Sequence, residues 1–281
     1  IEGNTSAGAV ERVTRSATQN VMGYVRLAEL KGQKGGGDGA EFLKDDSTSI
    51  NVKDAEGYAK KRTGNVSFAV ANSDGKIIAG YRQNATVHSA SVSKAMIMVA
   101  VLQDDPTPEQ RSLLGQMILA SDNAASNRLF DQVGAAAVND VAKDAGMERW
   151  KLVNKLQTPN GYKLGYSRIS AADQARFFAR IFKLIPRRNV AYAKQLLSGV
   201  TAGRWGIFSL NNANAYGKSG WRPEDDGRWT VNNAGQLNGK GYAVLTEDNP
   251  DQEYGIATVN GVYKRIADID WSQEVSTGIP E

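Results

Sequence analysis

The sequence contains no cysteine and a single histidine, His88, among its 281 residues. The lack of cysteine excludes disulfides, thiol catalysis and cysteine-ligated zinc. One histidine excludes a histidine-rich metal site, and a Ser-His-Asp triad would have to use His88, which we interpret as a loop or packing residue. Serine activated by lysine is therefore the main nucleophilic mechanism that remains, and nothing in the sequence indicates a metal or an organic cofactor.

Long apolar runs and a strong charge bias are also missing. The longest apolar run covers only residues 95–102, whereas a helix needs about 20 apolar residues to cross a bilayer, so we expect no transmembrane segment. The net charge of +4 comes from short, scattered basic clusters. Because no nucleic-acid-binding motif accompanies these clusters, we expect no nucleic-acid partner.

A serine and a lysine, Ser91 and Lys94, stand three residues apart at the head of that apolar run. In a helix, residues i and i+3 share one face, so the Lys94 amine is expected beside the Ser91 hydroxyl. A lysine can act as the base for a serine when burial lowers its pKa, and the apolar run predicts burial. The same S-x-x-K spacing occurs at 73–76, where it reads as a hairpin turn, so the pattern alone does not establish catalysis.

Two later motifs carry further polar groups. Ser121-Asp122-Asn123 lies between two predicted helices, where it could present a hydroxyl and an amide to a cleft, or simply cap a helix. Lys218-Ser219-Gly220 lies at the end of a predicted strand. Its glycine is typical of a close backbone approach, although a plain edge strand with an outward lysine is the alternative.

The hydrophobic pattern predicts helices and strands at both ends of the chain and helices in the middle. A glycine-rich linker is predicted over 32–39, and the strands 65–72 and 76–82 form a hairpin around an Asp-Gly turn. Further strands are predicted over 215–221, 228–237, 241–247 and 256–260. The predicted helices cover about 9–31, 51–62, 107–120, 124–134, 135–146, 170–185, 189–199 and 262–271.

This order of elements predicts an α/β (α+β) fold with no strand–helix–strand repeat. The predicted divisions are an N-terminal helix with the glycine-rich linker over 1–39, a discontinuous sheet domain over 40–85 plus 200–281, and an all-helical insertion over 86–199. The sheet is expected to be antiparallel, because no crossover helices separate its strands.

In this order, S-x-x-K, S-D-N and K-S-G resemble the motifs of the penicillin-recognising serine hydrolases, which include class A β-lactamases and low-molecular-weight penicillin-binding proteins. The resemblance covers about residues 48–270. It implies a β-lactamase/transpeptidase-like fold with an antiparallel five-stranded sheet flanked by N- and C-terminal helices. Residues 89–94, 204–206, 218–221 and 242–247 resemble more closely a group of β-lactamase-like serine hydrolases of unassigned substrate.

The resemblance implies a role for each motif residue. Ser91 would be the acylated nucleophile, with Lys94 as its base or as part of a proton relay. Ser121 would pass a proton to the leaving nitrogen, helped by Lys218. The backbone N–H groups of Ser91 and Trp221 would form the oxyanion hole. The substrate would be bound by Asn123, Ser219 (where the family usually has threonine), Gly220, Trp221 and Arg228, the last of which could equally be a surface arginine.

One feature of the family is missing. Class A β-lactamases hydrolyse their acyl-enzyme with a water held by a glutamate, whereas residues 150–172 of this chain contain no carboxylate, and Glu148 and Asp173 flank that segment. The acyl-enzyme is therefore expected to be long-lived, because acylation and deacylation are separate steps.

The resulting hypothesis is a serine hydrolase that acts on a β-lactam or on a D-Ala-D-Ala-type peptide of peptidoglycan and deacylates slowly. The alternatives are a penicillin-binding or sensing module that acylates without turnover, and a pseudo-enzyme that binds a protein partner. The resemblance also implies an extracytoplasmic location, and we expect a monomer without cofactors.

Overall fold

The computed structural model of the protein describes residues 50–156 and 158–267. The predicted helix over 9–31 and the linker over 32–39 lie outside the described residues. Among the described residues, no helix is long and apolar enough to cross a membrane.

The centre of the fold is an antiparallel five-stranded sheet with the strand order β2-β1-β7-β6-β5. Its strands are β1 (Asn65–Ala71), β2 (Ile77–Tyr81), β5 (Ala215–Pro223), β6 (Trp229–Leu237) and β7 (Lys240–Asn249). The first two form the predicted hairpin, and the last three come from the end of the chain. The predicted fold class and the five-stranded antiparallel sheet are therefore confirmed.

Seven α-helices accompany the strands in the described part of the chain. They are α1 (Ile50–Lys60), α2 (Lys94–Leu102), α3 (Pro108–Leu119), α4 (Asn123–Asp144), α5 (Ala171–Arg180), α6 (Arg187–Ser198) and α7 (Gln252–Ala267). Helix α5 packs on one face of β7, and α7 with α1 packs on the other. Neighbouring residues of β7 show the two faces, because Gly241 lies against Ala175 of α5 while Tyr242 packs against Tyr263 of α7.

One predicted strand is wrong. Residues 256–260 lie inside α7, and the last helix begins at Gln252 rather than near 262. The β-branched side chains of this segment favoured a strand, but its buried residues recur at helical spacing. These are Gly255, Thr258, Val259, Val262, Tyr263 and Ile266. The Asp251 carboxylate also accepts a hydrogen bond from the Tyr254 N–H, as expected for a residue that caps a helix start.

The region predicted to be all-helical, 86–199, also contains a small sheet. Strands β3 (Thr86–His88) and β4 (Arg168–Ser170) pair antiparallel, which corrects the all-helical prediction. Strands of three residues are too short to show an alternating pattern in the sequence. The helices themselves follow the prediction, since Thr107 and Gln110 form the capping box of α3 and α4 is interrupted at Gly134.

Helix α2 carries the apolar run into the centre of the molecule. All nine of its residues are buried, as the pattern predicted. The helix packs against α4, and the short 3₁₀ helix before it (Ala90–Ser93) packs against β5 and β6. The junction of these two helices, which holds Ser91 and Lys94, is therefore fixed between the sheet and the helical region.

Candidate active site

The 3₁₀ helix places Ser91 at the wall of a cavity of about 510 Å³. The residue before it, Ala90, has a φ of +44°, a left-handed conformation that a non-glycine residue adopts only under strain. Two backbone hydrogen bonds hold the turn, from the Ser89 N–H to the Ser167 carbonyl at 2.7 Å and from the Ala90 N–H to the Gly165 carbonyl at 3.0 Å. The turn that carries Ser91 is thus held against the loop that precedes β4.

The Lys94 amine is held by the S-D-N motif. Lys94 Nζ donates to the Ser121 carbonyl at 2.5 Å and to Asn123 Oδ1 at 2.8 Å, and it lies 3.3 Å from Ser121 Oγ. Ser91 is not among its hydrogen-bond partners within the described part of the chain. The expected pairing of the two groups is therefore not a hydrogen bond in this structure, because the amine is turned toward the corner between α3 and α4.

Ser121 joins the two lysines of the motifs. Lys218 Nζ donates to Ser121 Oγ at 3.0 Å and to the Ser219 carbonyl at 3.1 Å. Ser121 itself has a φ of +61°. A hydroxyl that accepts hydrogen bonds from both amines keeps its own proton free to donate into the cavity.

Burial lowers the proton affinity of both lysine side chains. Burial and the nearby charge of Lys218 lower the pKa of Lys94 well below its usual value, although the charge of Asp122 opposes this. Burial alone lowers the pKa of Lys218 to about 7. Both side chains are fully buried. Two adjacent buried amines with lowered pKa values are typical of a proton-transfer site.

Gly220 provides the close approach that the sequence predicted. A Cβ atom at this position would lie 2.6 Å from the Ser91 nitrogen and 2.7 Å from the Val92 nitrogen, so no larger residue fits. Trp221 follows in β5, lines the cavity and packs edge-to-face against Trp205 with ring centroids 5.1 Å apart. The end of β5 therefore forms the cavity wall beside Ser91.

Three of the predicted substrate-binding residues, Ser219, Gly220 and Arg228, do not line the cavity. Ser219 Oγ is buried, donates to the Gly203 carbonyl at 2.6 Å and accepts from Asn233 at 2.9 Å. These two partners occupy the hydroxyl, and the Ser219 side chain points to the opposite face of the strand from that of Lys218. Arg228 pairs with Asp226 and Asp248 and does not line the cavity.

The cavity has further walls that the motifs did not reveal. Arg222 lies over the Tyr166 ring, with 3.4 Å between the guanidinium carbon and the ring centroid, and its Nε is 3.6 Å from a Glu224 carboxylate oxygen. No motif in the sequence indicated that Tyr162 and Tyr166 of the loop before β4, or the β5–β6 connection, would line the cavity. The lining residues are Ala90, Ser91, Ser121, Asn123, Thr158, Asn160, Gly161, Tyr162, Gly165, Tyr166, Trp221, Arg222, Pro223, Glu224, Asp225 and Trp229.

His88 lies behind this wall, where it packs against Tyr166 with ring centroids 5.2 Å apart. Its Nδ1 is 3.3 Å from a carboxylate oxygen of Glu224 and from one of Glu247. These three side chains are close enough to share a cation. However, Arg222 and Arg168 already face the two carboxylates, so positive charge is supplied there by the protein.

The carboxylates that flank the loop have structural roles. Asp173 is fully buried, and its two oxygens accept from the N–H groups of Glu148 and Arg149, each at 2.8 Å. Glu148 is largely exposed and pairs with Arg176. Neither carboxylate lines the cavity, whose acidic lining residues, Glu224 and Asp225, come from the β5–β6 connection.

Comparison with known proteins agrees with this geometry. Residues 104–262 match the family model of the beta-lactamase enzyme family. The match includes the S-D-N and K-S-G motifs and begins after Ser91 and Lys94. The search of curated proteins found no match.

Solved structures share the fold. A β-lactamase from Sphaerobacter thermophilus aligns with a TM-score of 0.63 at 20% identity, over 77% of this chain and 95% of that chain. A class A β-lactamase representative from Bacteroides cellulosilyticus aligns with a TM-score of 0.64 at 17% identity, over 78% and 96%. The structure of PBP-A aligns with a TM-score of 0.62 at 16% identity, over 78% and 94%. These structures confirm the predicted β-lactamase-like fold, and the family match confirms the resemblance to penicillin-recognising serine hydrolases.

Proposed function

The chain belongs to the beta-lactamase enzyme family, and from this premise we propose that it forms an acyl-enzyme at Ser91 on an amide substrate and releases it slowly. The observation that carries the proposal is the buried cluster in which Lys94 and Lys218 both contact the Ser121 hydroxyl beside the Ser91 turn. The substrates that we propose are a β-lactam or a D-Ala-D-Ala-type peptide end, met outside the cytoplasm by a monomeric protein.

Acylation follows from the proton affinities in this cluster. In the proposed step the Lys94 amine turns from the Ser121 carbonyl toward Ser91, and neutral Lys94 takes the Ser91 proton as Ser91 Oγ bonds to the substrate carbonyl carbon. Backbone N–H groups of Ser91 and Trp221 are the proposed donors to the resulting oxyanion, and each such donor typically contributes on the order of 10²–10³ in rate. The carbon–nitrogen bond then breaks while Ser121 gives its proton to the leaving nitrogen. The proton on Lys94 replaces it across the 3.3 Å to Ser121 Oγ, so Lys94 is neutral again.

The site offers few groups that could act as the general base in deacylation. Water that attacks the ester needs a base, and the carboxylates next to the loop, Asp173 and Glu148, are engaged elsewhere. Of the two carboxylates that line the cavity, Glu224 accepts a hydrogen bond from Thr230 Oγ1 at 2.6 Å and Asp225 lies exposed in the β5–β6 connection. The base that we propose for both steps is Lys94. A Lys94→Ala variant that kept full turnover would exclude this role.

A second candidate function is a binding or sensing module that acylates once and remains acylated. The carboxylate-free loop favours it over a rapid β-lactamase. Repeated turnover on any amide or ester would exclude it. The pseudo-enzyme alternative has less support, because the cluster of Lys94, Ser121, Asn123 and Lys218 is fully assembled.

Labelling with a fluorescent penicillin, together with a panel of competing β-lactams, tests the nucleophile. We expect the parent protein and Ser93→Ala to be labelled and Ser91→Ala to remain unlabelled. Ser93 is the matched control, because its hydroxyl contacts Ser89 and Tyr162 and does not line the cavity. Labelling of Ser91→Ala at the parent rate, or no labelling of the parent by any compound of the panel, would contradict the proposal.

A further inference from the structure

The loop before β4 brings an aromatic ring, rather than a carboxylate, to the catalytic lysine. Lys94 Nζ lies 4.8 Å from the centroid of the Tyr162 ring. The same amine donates to Ser121 and Asn123. Tyr162 also lines the cavity that holds Ser91. The ring therefore lies at the point where the loop meets the proton-transfer cluster.

The position of Tyr162 is fixed from both sides of the residue. Asn127 of α4 donates to the Gly161 carbonyl at 2.8 Å and accepts from the Lys163 N–H at 2.9 Å. The side chain of Lys163 pairs with Asp131 of the same helix. Because Asn127 binds the residues on both sides of Tyr162, these contacts fix the position of the Tyr162 ring.

The Tyr162 hydroxyl is tied to the nucleophile turn. It lies 3.1 Å from Ser93 Oγ, which is 3.0 Å from Ser89 Oγ, and Ser89 in turn donates to the Leu164 carbonyl at 2.9 Å. Burial raises the pKa of this hydroxyl, although the Ser93 bond opposes the change. The hydroxyl stays protonated and is not a base, so the chemical contribution of Tyr162 to the site comes from its ring.

The face of an aromatic ring carries negative potential and attracts an ammonium group. Lys94 becomes an ammonium ion when it takes the Ser91 proton, and Lys218 nearby repels that charge. Asp122, whose charge favours the protonated amine, uses its side chain to cap α4 through the Ala125 N–H. The ring is thus the part of the loop that can stabilise the protonated lysine.

We propose that Tyr162 is a positioning residue that holds the Lys94 amine and supports its protonated form during acylation. Its catalytic consequence rests on the proposed function, whereas its effect on the proton affinity of Lys94 does not. A ring favours the charged amine but cannot accept a proton from water. The same residue therefore supports acylation and offers no base for deacylation.

The experiment is a ¹³C NMR titration of the lysine Cε resonances in the intact chain. The Lys94 signal is identified by its loss in Lys94→Met. Tyr162→Phe keeps the ring and removes the hydroxyl, whereas Tyr162→Leu keeps the apolar bulk and removes the ring. Tyr162→pentafluorophenylalanine keeps the shape but reverses the ring potential, so it tests the proposal even if the leucine variant does not fold. Tyr166→Leu is the matched control, since this second cavity tyrosine contacts His88 and Arg222.

We expect the pKa of Lys94 to fall by about half to one unit in the leucine and pentafluorophenylalanine variants. It should be unchanged in Tyr162→Phe and in Tyr166→Leu. The rising limb of the acylation rate against pH should move to lower pH by the same amount. An unchanged or raised Lys94 pKa in both the leucine and the pentafluorophenylalanine variants would overturn the proposal. If the variants show these shifts in the Lys94 pKa but the parent protein is never acylated, the result would instead contradict the proposed function alone.

Discussion

Lys218 makes the stability of the protein depend on pH in a direction opposite to that of a salt-bridged lysine. Its side chain is fully buried, and burial lowers its pKa to about 7 in the folded protein. In the unfolded chain a lysine has a pKa of about 10.4. Between these values the unfolded chain binds a proton that the folded protein does not, so the free energy of unfolding rises with pH by about 1.4 kcal/mol per unit.

The perturbation that isolates this effect is Lys218→Met, which keeps most of the apolar stem and removes the amine. Loss of the hydrogen bonds to Ser121 and to the Ser219 carbonyl has a cost that does not vary with pH. The stability difference between variant and parent should therefore shift by about 2 kcal/mol between pH 8 and pH 10, in favour of the variant at the lower pH. The pH-dependent contribution of Lys94 to the free energy of unfolding has the same sign in both proteins, so it largely cancels in their difference.

Urea denaturation at several pH values between 7 and 10 measures this difference directly. Lys76→Met, at an exposed position of the β1–β2 turn, controls for the loss of one positive charge. Stability curves of Lys218→Met and the parent that run parallel across this range would refute the reasoning. They would mean that the buried amine stays protonated in the folded protein.

Three further predictions follow from the site. Gly220→Ala should lower the acylation rate by ~10²-fold or more, because its Cβ would displace the Ser91 backbone; acylation at the parent rate would contradict the close approach. Asp173→Ala should lower the free energy of unfolding by about 2–4 kcal/mol in urea, because two buried N–H groups lose their acceptor; a variant as stable as the parent would contradict this role. The acylation rate should rise with pH as Lys94 loses its proton and should fall as the pH passes about 7, where Lys218 loses its proton. This fall should be absent in Lys218→Arg. A fall that persists in Lys218→Arg would assign it to another group.

The part of the site that the sequence predicted is the part that local patterns determine. An apolar run after Ser91 indicates a buried helix whatever surrounds it, and a capping pattern at 121–123 marks a corner between helices. The order of the three motifs then allowed Lys94, Ser121 and Lys218 to be placed in one cluster, where the structure has them.

The remaining parts depend on contacts between distant segments. Ser219 lies next to Lys218 in sequence, but the alternation of β5 points its hydroxyl toward Asn233 of the neighbouring strand. The Arg228 side chain is held by Asp226 and by Asp248 of β7. No local pattern indicated that the ring of Tyr162 would reach Lys94, since that contact depends on how the loop packs against α4.

In the fold, too, local sequence patterns predicted some elements, while others depend on contacts between distant segments. The hairpin and the long amphipathic helices follow from periodicity and turn residues, and the structure has them at nearly the predicted bounds. The segment 256–260 was misassigned because its β-branched composition favours a strand. Packing of α7 against β6 and β7 overrides that preference and selects the helix.

The most direct test of the account is a time course of intact mass after the protein is mixed with a β-lactam and the free drug is then removed. The account predicts a mass increase of one equivalent that appears in the parent, is absent in Ser91→Ala, and persists after the drug is gone. An adduct that disappears as fast as it forms, with complete loss of the drug, would contradict slow deacylation and would require a base outside the carboxylate-free loop.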